Sequence, residues 1–282
     1  MEITNRANLP SPLVSAVSTG NYRPKEKRLS VTTLINPPQL ESLRRKYWDE
    51  LREDAANRIW MLFGSAMHQV LESTSVDNAL IEEKLEFQVG DYTVSGVADL
   101  LMSLDDGGYV VSDWKLTSVW SFLHGVKPEW RQQLQIYAYI YQQTGFDVRK
   151  AQVISILRDW SQNKAKYDSN YPDTQVHILP VTLLPSDQAQ RLIEERVALH
   201  RNAIEDDDYA DCTPEERWAK PDTWAVKKPG GKRAIRVFPS EWEALDFMDA
   251  DKHEIEFRPG ENMRCNSYCP VSNFCRQHKL ST

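Results

Sequence analysis

The pattern of apolar and polar positions predicts a chain that alternates between strands and helices. Residues 92–104 and 109–116 are rich in Val, Leu, Tyr and Trp and flank an Asp-Asp-Gly-Gly turn, which indicates a β-hairpin. Two further strands are predicted over 151–158 and 175–183. Apolar residues at helical spacing predict one helix that begins at Pro37-Pro38 and others at about 55–74, 130–143 and 186–204. This order is typical of an α/β or α+β fold, with a central sheet flanked by helices.

The helix predicted at 55–74 carries a wide apolar stripe, so we expect it to be buried against the sheet. The stripe consists of Ile59, Leu62, Phe63, Ala66, Met67, Val70 and Leu71. Gly64 and His68 lie one turn apart on the same helix. Glycine is unfavourable inside a helix, so its presence indicates close backbone packing or a cavity beside it. His68 is then either a satisfied histidine or a metal ligand that points across that cavity.

Two acidic residues and a lysine lie on the predicted hairpin. Asp99 is on its first arm, and Asp113 and Lys115 occupy alternate positions of its second arm, so the latter two share a face. Carboxylate oxygens suit Mg²⁺ or Mn²⁺, and an ammonium group beside them can hold a hydroxide or a phosphoryl oxygen. The alternative is that the acids are solvated turn residues and that Asp-x-Lys is a surface ion pair.

The length of the hairpin loop tests the metal-site interpretation. A two-residue turn at 106–107 would pair residue 99 with residue 114 and would place Asp113 on the opposite face. The acids and the lysine can share a face only if the loop has an odd length or if one arm contains a bulge. We therefore predict a three-residue loop with Gly108 in the left-handed region of backbone space.

Polar and aromatic residues beyond Lys115 supply further candidates. Gln133 and Tyr137 are four apart on a predicted helix, hence on one face. They form either a surface hydrogen bond or a pair that orients a phosphate or the lysine. Trp120 and Arg131 belong to a stretch of interleaved aromatic and basic residues, which either holds a nucleic acid or anchors the loop.

The overall composition limits the compartment and the partners. The net charge of −7 at pH 7 argues weakly against a generic nucleic-acid coat protein. No apolar run approaches the roughly 20 residues needed to span a membrane, and the N-terminus lacks the basic-then-apolar pattern of a secretory signal. We therefore expect a cytosolic, reducing compartment, in which the four cysteines are metal ligands or bystanders rather than disulfides.

The chain is long enough for one core with an appendage. We predict an extended N-terminal arm over 1–30, a core over 31–205 and a C-terminal segment over 206–282. The C-terminal segment contains a predicted hairpin at 224–238 that is strongly basic and has no acidic residue. The basic residues, which either contact phosphates or simply solvate the hairpin, are Lys227, Lys228, Lys232, Arg233 and Arg236.

The cysteines are clustered near the C-terminal end of the sequence. Cys265, Cys269 and Cys275 lie close together, and Cys212 is the one remote cysteine. Four thiolates suit Zn²⁺ or an iron–sulfur cluster, and the spacing alone does not choose between the two.

Four short motifs in this order resemble those of the PD-(D/E)XK nuclease superfamily, in particular its RecB-like branch, which includes phage exonucleases and CRISPR-adaptation exonucleases. The motifs are Gly64-x-x-x-His68, Gly96-x-x-Asp99, Asp113-Trp114-Lys115 and Gln133-x-x-x-Tyr137. The cysteines resemble the iron–sulfur staple of that branch, although Cys212 follows the core instead of preceding it and the trio is spaced x3 then x5 instead of x2 then x5. No phosphate-binding loop or helicase motif accompanies them.

The resemblance implies a restriction-endonuclease-like mixed sheet with a cysteine-clamped C-terminal segment. It also implies that His68, Asp99, Asp113 and the backbone carbonyl of Trp114 hold Mg²⁺ or Mn²⁺, that Lys115 positions or deprotonates the attacking water, and that Gln133 and Tyr137 orient Lys115 or a phosphate. For the cysteines it implies a structural [4Fe–4S] cluster, with Zn²⁺ as the alternative.

The function implied by the resemblance is metal-dependent hydrolysis of DNA in the cytoplasm of a bacterial or phage-infected cell. We expect an exonuclease that supplies single strands to an annealing or recombination protein. An endonuclease with the same core is the nearest rival, and a non-catalytic DNA-binding or assembly module is the rival from another class. A redox-sensing role for the cluster is a third possibility. The sequence sets no oligomeric state.

Overall fold

The structure is a computed structural model that describes residues 1–74, 79–81 and 84–281. The chain divides into two compact units, Met1–Tyr209 and Ala210–Thr282. The division falls close to the boundary that we predict after residue 205. No helix in the described ranges is both long enough and apolar enough to cross a membrane.

The first unit is a mixed sheet protein with helices between its strands. Its strands are β1 (Glu2–Thr4), β2 (Arg28–Ser30), β3 (Arg52–Asp54), β4 (Ala79–Ile81), β5 (Lys84–Val89), β6 (Tyr92–Val97), β7 (Leu100–Ser103), β8 (Tyr109–Thr117), β9 (Val148–Leu157) and β10 (Val176–Val181). Its helices are α1 (Ser11–Ser18), α2 (Val31–Leu34), α3 (Pro38–Lys46), α4 (Ile59–Glu72, after a 3₁₀ turn at Ala55–Arg58), α5 (Val119–Leu123), α6 (Pro128–Gln143), α7 (Gln162–Tyr167) and α8 (Ser186–Glu205).

The central sheet has the strand order β10-β9-β8-β7-β4. Only β8 and β9 pair in parallel within it, as the crossover through α5 and α6 requires. Helix α6 covers this sheet with fully buried residues such as Leu134, Ile136 and Ile140, and α8 adds Ile193 and Val197 to the same core. The predicted fold class, a mixed α/β arrangement of the restriction-endonuclease type, is therefore confirmed.

The first arm of the predicted hairpin is two strands instead of one. Strand β6 pairs with β5 and β2 in a separate three-stranded sheet, whereas β7 belongs to the central sheet. The break lies at Ala98 and Asp99. Gly96 precedes it, and a Cβ atom at this position would lie 2.6 Å from Tyr137 Cε1 and 2.7 Å from Val31 Cγ2. Only glycine lets β6 approach α2 and α6 this closely.

Two expectations about the N-terminal half are wrong. Residues 1–30 are not an extended arm, because they contain α1 and because β1 and β2 pair with β3 and β6. Helix α4 is not buried: it has no buried residue, and Phe63 and Val70 of its apolar stripe are exposed. Periodicity identified the apolar face of α4 but carried no information about what covers it.

The second unit contains small antiparallel sheets and short helices. Its elements are β11 (Ala219–Lys220), β12 (Thr223–Lys227), β13 (Ala234–Phe238), α9 (Glu241–Phe247), β14 (Glu254–Arg258), β15 (Glu261–Asn262), α10 (Met263–Ser267), a 3₁₀ turn at Ser272–Phe274 and α11 (Arg276–Lys279). The sheet β13-β12-β14 contains the predicted basic hairpin, which is thereby confirmed as a hairpin. Val226, Phe238 and Ala244 form the core between this sheet and α9.

The close approach at Gly96 leads to a stability prediction. Gly96→Ala forces Tyr137 and Val31 to shift, so we expect the free energy of unfolding to fall by about 1–3 kcal/mol in urea denaturation. Gly64→Ala is the matched control, since a Cβ atom there would meet nothing within 4 Å and alanine is the better helix former. Equal losses in the two variants would contradict the packing role of Gly96.

Candidate active site

The loop between β7 and β8 determines which residues share a face. Leu104 N–H donates to Gly108 O over 2.7 Å, and Gly107 N–H donates to Leu104 O over 3.0 Å, so the loop proper is the three residues 105–107. The odd loop length that we predict is confirmed. The left-handed residue is Gly107, with φ of 86°, and not Gly108 as predicted. The reason is that a left-handed residue directly after the type I turn lets the two strands resume pairing.

This loop sets Asp99 opposite Asp113. The register pairs Leu100 with Ser112, and one step further along both strands brings the two acids across from each other. Asp99 Oδ2 accepts a hydrogen bond from Trp114 N–H over 2.7 Å, which attaches the chain at the strand break to β8. Asp99 Oδ1 lies 3.2 Å from Nδ1 of His68, so α4 reaches the same point from the other side.

Asp113 is a buried carboxylate beside a lysine. It is 2% exposed, and its Oδ2 atom lies 2.6 Å from Lys115 Nζ without any hydrogen bond of good geometry. Burial raises the pKa of Asp113 to about 6; Lys115 acts in the opposite direction and the charge of Asp99 adds to the rise. A carboxylate in this position gains from a nearby positive charge, because little water reaches it.

Lys115 is held by a short chain of hydrogen bonds from α6. Its Nζ donates to Gln133 Oε1 over 3.0 Å, and Gln133 Nε2 donates to Tyr137 Oη over 3.3 Å. Both α6 side chains are buried, and burial raises the pKa of Tyr137, which keeps the phenol neutral. Because an ammonium group only donates, Lys115 requires the accepting Oε1 end of Gln133, and the donating Nε2 end then faces Tyr137 Oη, which holds the amide in place.

The structure thus brings together His68, Asp99, Asp113, Lys115, Gln133 and Tyr137, although they come from four separate stretches of sequence. Trp114 directly follows Asp113, and its backbone N–H donates to Asp99 Oδ2. The donor set fits a hard divalent cation in its chemistry: two carboxylates and an imidazole, with a buried carboxylate oxygen that lacks a hydrogen bond. In the described ranges, however, no three His, Cys, Asp or Glu side chains converge as a ligand group. Asp99 is paired with His68 and Asp113 with Lys115.

The predicted DNA-contacting residues of the first unit lie on elements that follow β8. Trp120 on α5 is 70% exposed, and its ring lies 4.3 Å from that of His124. Arg131 is exposed on the first turns of α6 and donates from Nε to Val126 O over 3.2 Å.

A cation–aromatic pair beside these elements was missed in the sequence analysis. The guanidinium group of Arg158 lies 4.5 Å from the centre of the Trp60 ring. Arg158 directly follows β9, and its N–H donates to Thr117 O over 2.9 Å at the end of β8. The spacing of Trp60, Gly64 and His68 at every fourth residue of α4 was the available signal for Trp60.

The basic hairpin of the second unit is less uniform than its sequence indicates. Lys227 lies 3.2 Å from Glu254 and 2.7 Å from Glu256, and these carboxylates raise its pKa. Arg236 stacks on Phe238, at 4.9 Å from the ring centre. The remaining members, Lys228, Lys232 and Arg233, are exposed.

All four cysteines belong to the second unit and are free thiols. Gln277 links the remote cysteine to the trio: its Oε1 accepts from Cys212 N–H over 3.0 Å and its Nε2 donates to Cys212 O over 2.9 Å. Burial raises the pKa of Cys212 to about 12, and the neighbouring Cys275 and Cys269 contribute to the rise. Burial also raises the pKa values of Cys265 and Cys269. The thiols therefore lie near one another, but within the described ranges no three of them converge as a ligand group for a metal.

Comparison with known proteins identifies the family. The model of the PD-(D/E)XK nuclease superfamily matches residues 33–276. The chain belongs to the PD-(D/E)XK nuclease superfamily. Members of this superfamily are nucleases that generally use Mg²⁺ or Mn²⁺, and DNA is the substrate that the family implies. The range that matches the family model includes all four motifs whose order resembles those of this superfamily.

The nuclease also resembles a solved structure titled "Crystal structure of SSO0001". The two chains are 21% identical, and the match covers 66% of this chain and 84% of that one with a TM-score of 0.46. No curated protein matches the nuclease.

The buried carboxylate leads to a prediction about pH. The pKa of Asp113 is higher in the folded protein than the ordinary value of about 3.9, so the folded state binds this proton more tightly. The stability that the folded protein gains from protonated Asp113 is present at low pH and is lost as the pH rises from about 4 through about 6. Asp113→Asn removes that loss. In EDTA, we expect the variant to gain about 1–3 kcal/mol relative to wild type between about pH 4 and pH 7, measured by urea denaturation.

Asp105→Asn is the control for this prediction, because Asp105 is an exposed residue of the same hairpin. Its stability difference from wild type should not follow the trend of Asp113→Asn. A stability difference between Asp113→Asn and wild type that does not change with pH would show that Asp113 is not the buried, proton-binding carboxyl group described above.

Proposed function

We propose that this nuclease is a Mg²⁺- or Mn²⁺-dependent deoxyribonuclease that hydrolyses phosphodiester bonds from DNA ends. The observation that carries the proposal is the row formed by Asp99, Asp113 and Lys115, with Lys115 Nζ at 2.6 Å from Asp113 and held by Gln133. A non-catalytic binding module would have no need for a buried carboxylate beside an oriented lysine, because this arrangement is costly to fold.

The metal ligands in this proposal are Asp99, Asp113, His68 and the backbone carbonyl of Trp114. A bound divalent cation supplies positive charge that acidifies water and stabilises the developing charge on the phosphate. Asp113 Oδ2 makes an ion pair with Lys115 but no hydrogen bond of good geometry, so it could also serve as a metal ligand. The contacts between His68 and Asp99 and between Lys115 and Asp113 hold the side chains near their proposed positions.

Lys115 has the central role among the protein groups. Its ammonium group holds the attacking water or a non-bridging phosphate oxygen, and it neutralises charge as the bond breaks. Gln133 fixes the direction of the ammonium group, and Tyr137 fixes the orientation of Gln133. Each of these groups lies on a strand or helix of the core, so little reorganisation is needed during the reaction.

The preference for ends, and a role in phage-type recombination or DNA processing, follow from the resemblance to the RecB-like branch. In this proposal the product is a single strand that an annealing or recombination protein receives. An endonuclease of the same core differs only in whether a closed circle is cut. The two activities are separated by cleavage of end-labelled linear duplex and closed circular DNA with Mg²⁺, Mn²⁺ or EDTA. Absence of metal-dependent cleavage by folded protein would favour the binding-module alternative.

The second unit contributes DNA contacts and a structural cluster in this proposal. Lys228, Lys232, Arg233 and Arg236 are the exposed cations of the hairpin that would meet phosphates, whereas Lys227 is already neutralised by two glutamates. The four cysteines would hold a [4Fe–4S] cluster or, alternatively, Zn²⁺. Their shared neighbourhood and the bridge from Gln277 to Cys212 support this assignment. A redox role would instead show as activity that changes with reversible bleaching.

Removal of the lysine is the direct test of the catalytic proposal. We expect Lys115→Ala to lower the cleavage rate by about 10²–10⁴-fold, because positioning and proton transfer by one side chain contribute roughly this much. Gln133→Ala should lower it less, since the ammonium group remains but loses its orientation. Lys150→Ala is the control: this exposed lysine is on the adjacent strand β9 and should leave the rate unchanged. A fully active Lys115→Ala protein would exclude the mechanism.

The cysteine assignment has a separate test in anaerobically purified protein. We expect Cys275→Ser to lose bound metal. Gln277→Ala should retain less of it and lose about 1–3 kcal/mol of stability, since Cys212 N–H loses its partner and Cys212 O, which keeps the hydrogen bond from Arg217 Nε, loses the one from Gln277. Asn273→Ala, an exposed neighbour in the same segment, is the control. Visible absorbance with bound iron and sulfide indicates the cluster, and colourless protein with bound zinc indicates Zn²⁺. Wild-type protein without either would contradict the assignment.

A further inference from the structure

Helix α4 exposes aromatic side chains of a kind that helices of globular proteins normally bury. Trp60 is 58% exposed, Phe63 49% and Met61 46%, and the helix has no buried residue. A contiguous group of large exposed apolar residues is uncommon on a soluble protein and commonly marks a binding surface. The exposed aromatics therefore require an explanation beyond packing.

The tryptophan is held in place by its neighbours. The Arg158 guanidinium lies 4.5 Å from the centre of the Trp60 ring, and the Phe63 ring meets Trp60 edge-on at a centroid distance of 5.6 Å. Two supports fix the plane of the indole ring, while more than half of its surface remains accessible. An ordered aromatic ring of this kind can stack with little loss of conformational entropy.

The charge beside this ring indicates the chemistry of the partner. Arg158 is exposed, and within the described ranges it has no carboxylate within 4 Å. An apolar partner would remove water from this guanidinium group without replacing its hydrogen bonds, which is unfavourable. A nucleotide satisfies both groups at once, because its base stacks on the indole ring and its phosphate meets the cation.

The surface is continuous with the active site. Trp60, Gly64 and His68 are successive neighbours along one side of α4, and a Cβ atom on Gly64 would meet nothing within 4 Å. Arg158 is tied through Thr117 O to the end of β8, two residues beyond Lys115. Eight residues of helix place Trp60 about 12 Å from His68 along the axis, roughly three to four base steps of DNA.

We propose that Trp60, supported by Arg158, stacks on an unpaired base of the substrate DNA about three to four nucleotides from the phosphate that is cleaved. The proposal rests on the nuclease function proposed above, because His68 and Lys115 define the position of that phosphate. It assigns to α4 the selection of DNA whose bases are free to stack, such as single strands and frayed ends. Trp60 is a positioning residue in this account, remote from the reacting atoms.

Binding measurements test the proposal without cleavage. The assay uses fluorescence anisotropy of labelled single-stranded oligonucleotides on Asp113→Asn protein. We expect Trp60→Ala to weaken binding about tenfold, because stacking on one base is worth roughly this much. Trp60→Phe should retain most of the affinity. Trp242→Ala, which removes a tryptophan of the second unit that is 69% exposed, should leave the affinity unchanged.

A double-mutant cycle with the DNA locates the base. One abasic position is moved along the oligonucleotide, and binding is measured with and without Trp60. We expect one or two adjacent positions at which the abasic site weakens binding to the protein with Trp60 but not to Trp60→Ala. Unchanged affinity in Trp60→Ala, or abasic effects that are the same in both proteins at every position, would overturn the proposal.

A parallel cleavage assay separates this inference from the nuclease proposal. With wild-type protein and a metal ion, absence of any cleavage contradicts the nuclease function, whatever the binding data show. Cleavage that is unaffected by Trp60→Ala on frayed and on blunt ends contradicts the inference alone. Tighter binding of an acidic protein or peptide than of DNA, lost in Trp60→Ala, would likewise contradict it by showing that the surface belongs to a protein partner.

Discussion

The register of one hairpin is the constraint on which the active site depends. Three loop residues between Leu104 and Gly108 set the pairing of β7 with β8, and this pairing places Asp99 opposite Asp113. A shift of one residue would turn every side chain of one strand to the opposite face of the sheet. Gly107 makes the register possible, because its positive φ lets the strands resume pairing directly after the turn.

Around this pair, the fold holds charged side chains in a site that little water reaches, so protein groups must replace their hydration. Asp113 is buried next to Lys115, and Lys115 in turn is held by Gln133, whose orientation is set by Tyr137. The packing that supports Tyr137 depends on the missing side chain at Gly96. The hydrophobic core and the polar site are therefore not separate: the α6 helix that buries Leu134 and Ile136 against the sheet also presents Gln133 and Tyr137 to the lysine.

Two surfaces outside this core connect it to DNA in the proposed function. Helix α4 carries His68 at the acidic pair and Trp60 two turns earlier, so one element relates the cleavage point to a stacking position. The second unit has exposed cations on a hairpin, and two hydrogen bonds join the Gln277 side chain to the backbone of Cys212, 65 positions away. Trp60 on α4 and the exposed cations of the hairpin are side chains that do not contribute to a hydrophobic core.

The approximate positions of β8 to β10 and of helices α3, α4, α6 and α8, and the odd hairpin loop, followed from the sequence, because periodicity and turn chemistry are local properties. The motif residues followed from their resemblance to the motifs of the nuclease superfamily. Tertiary structure decided four other features. They are the hydrogen bond from Trp114 N–H to Asp99, the break between β6 and β7, the exposure of α4, and the ion pairs of Lys227 with Glu254 and Glu256. The apolar stripe of α4 shows the difference most clearly. A sequence shows which face of a helix is apolar, but only the packing of distant segments determines whether that face is covered, and here Trp60 was left exposed beneath Arg158.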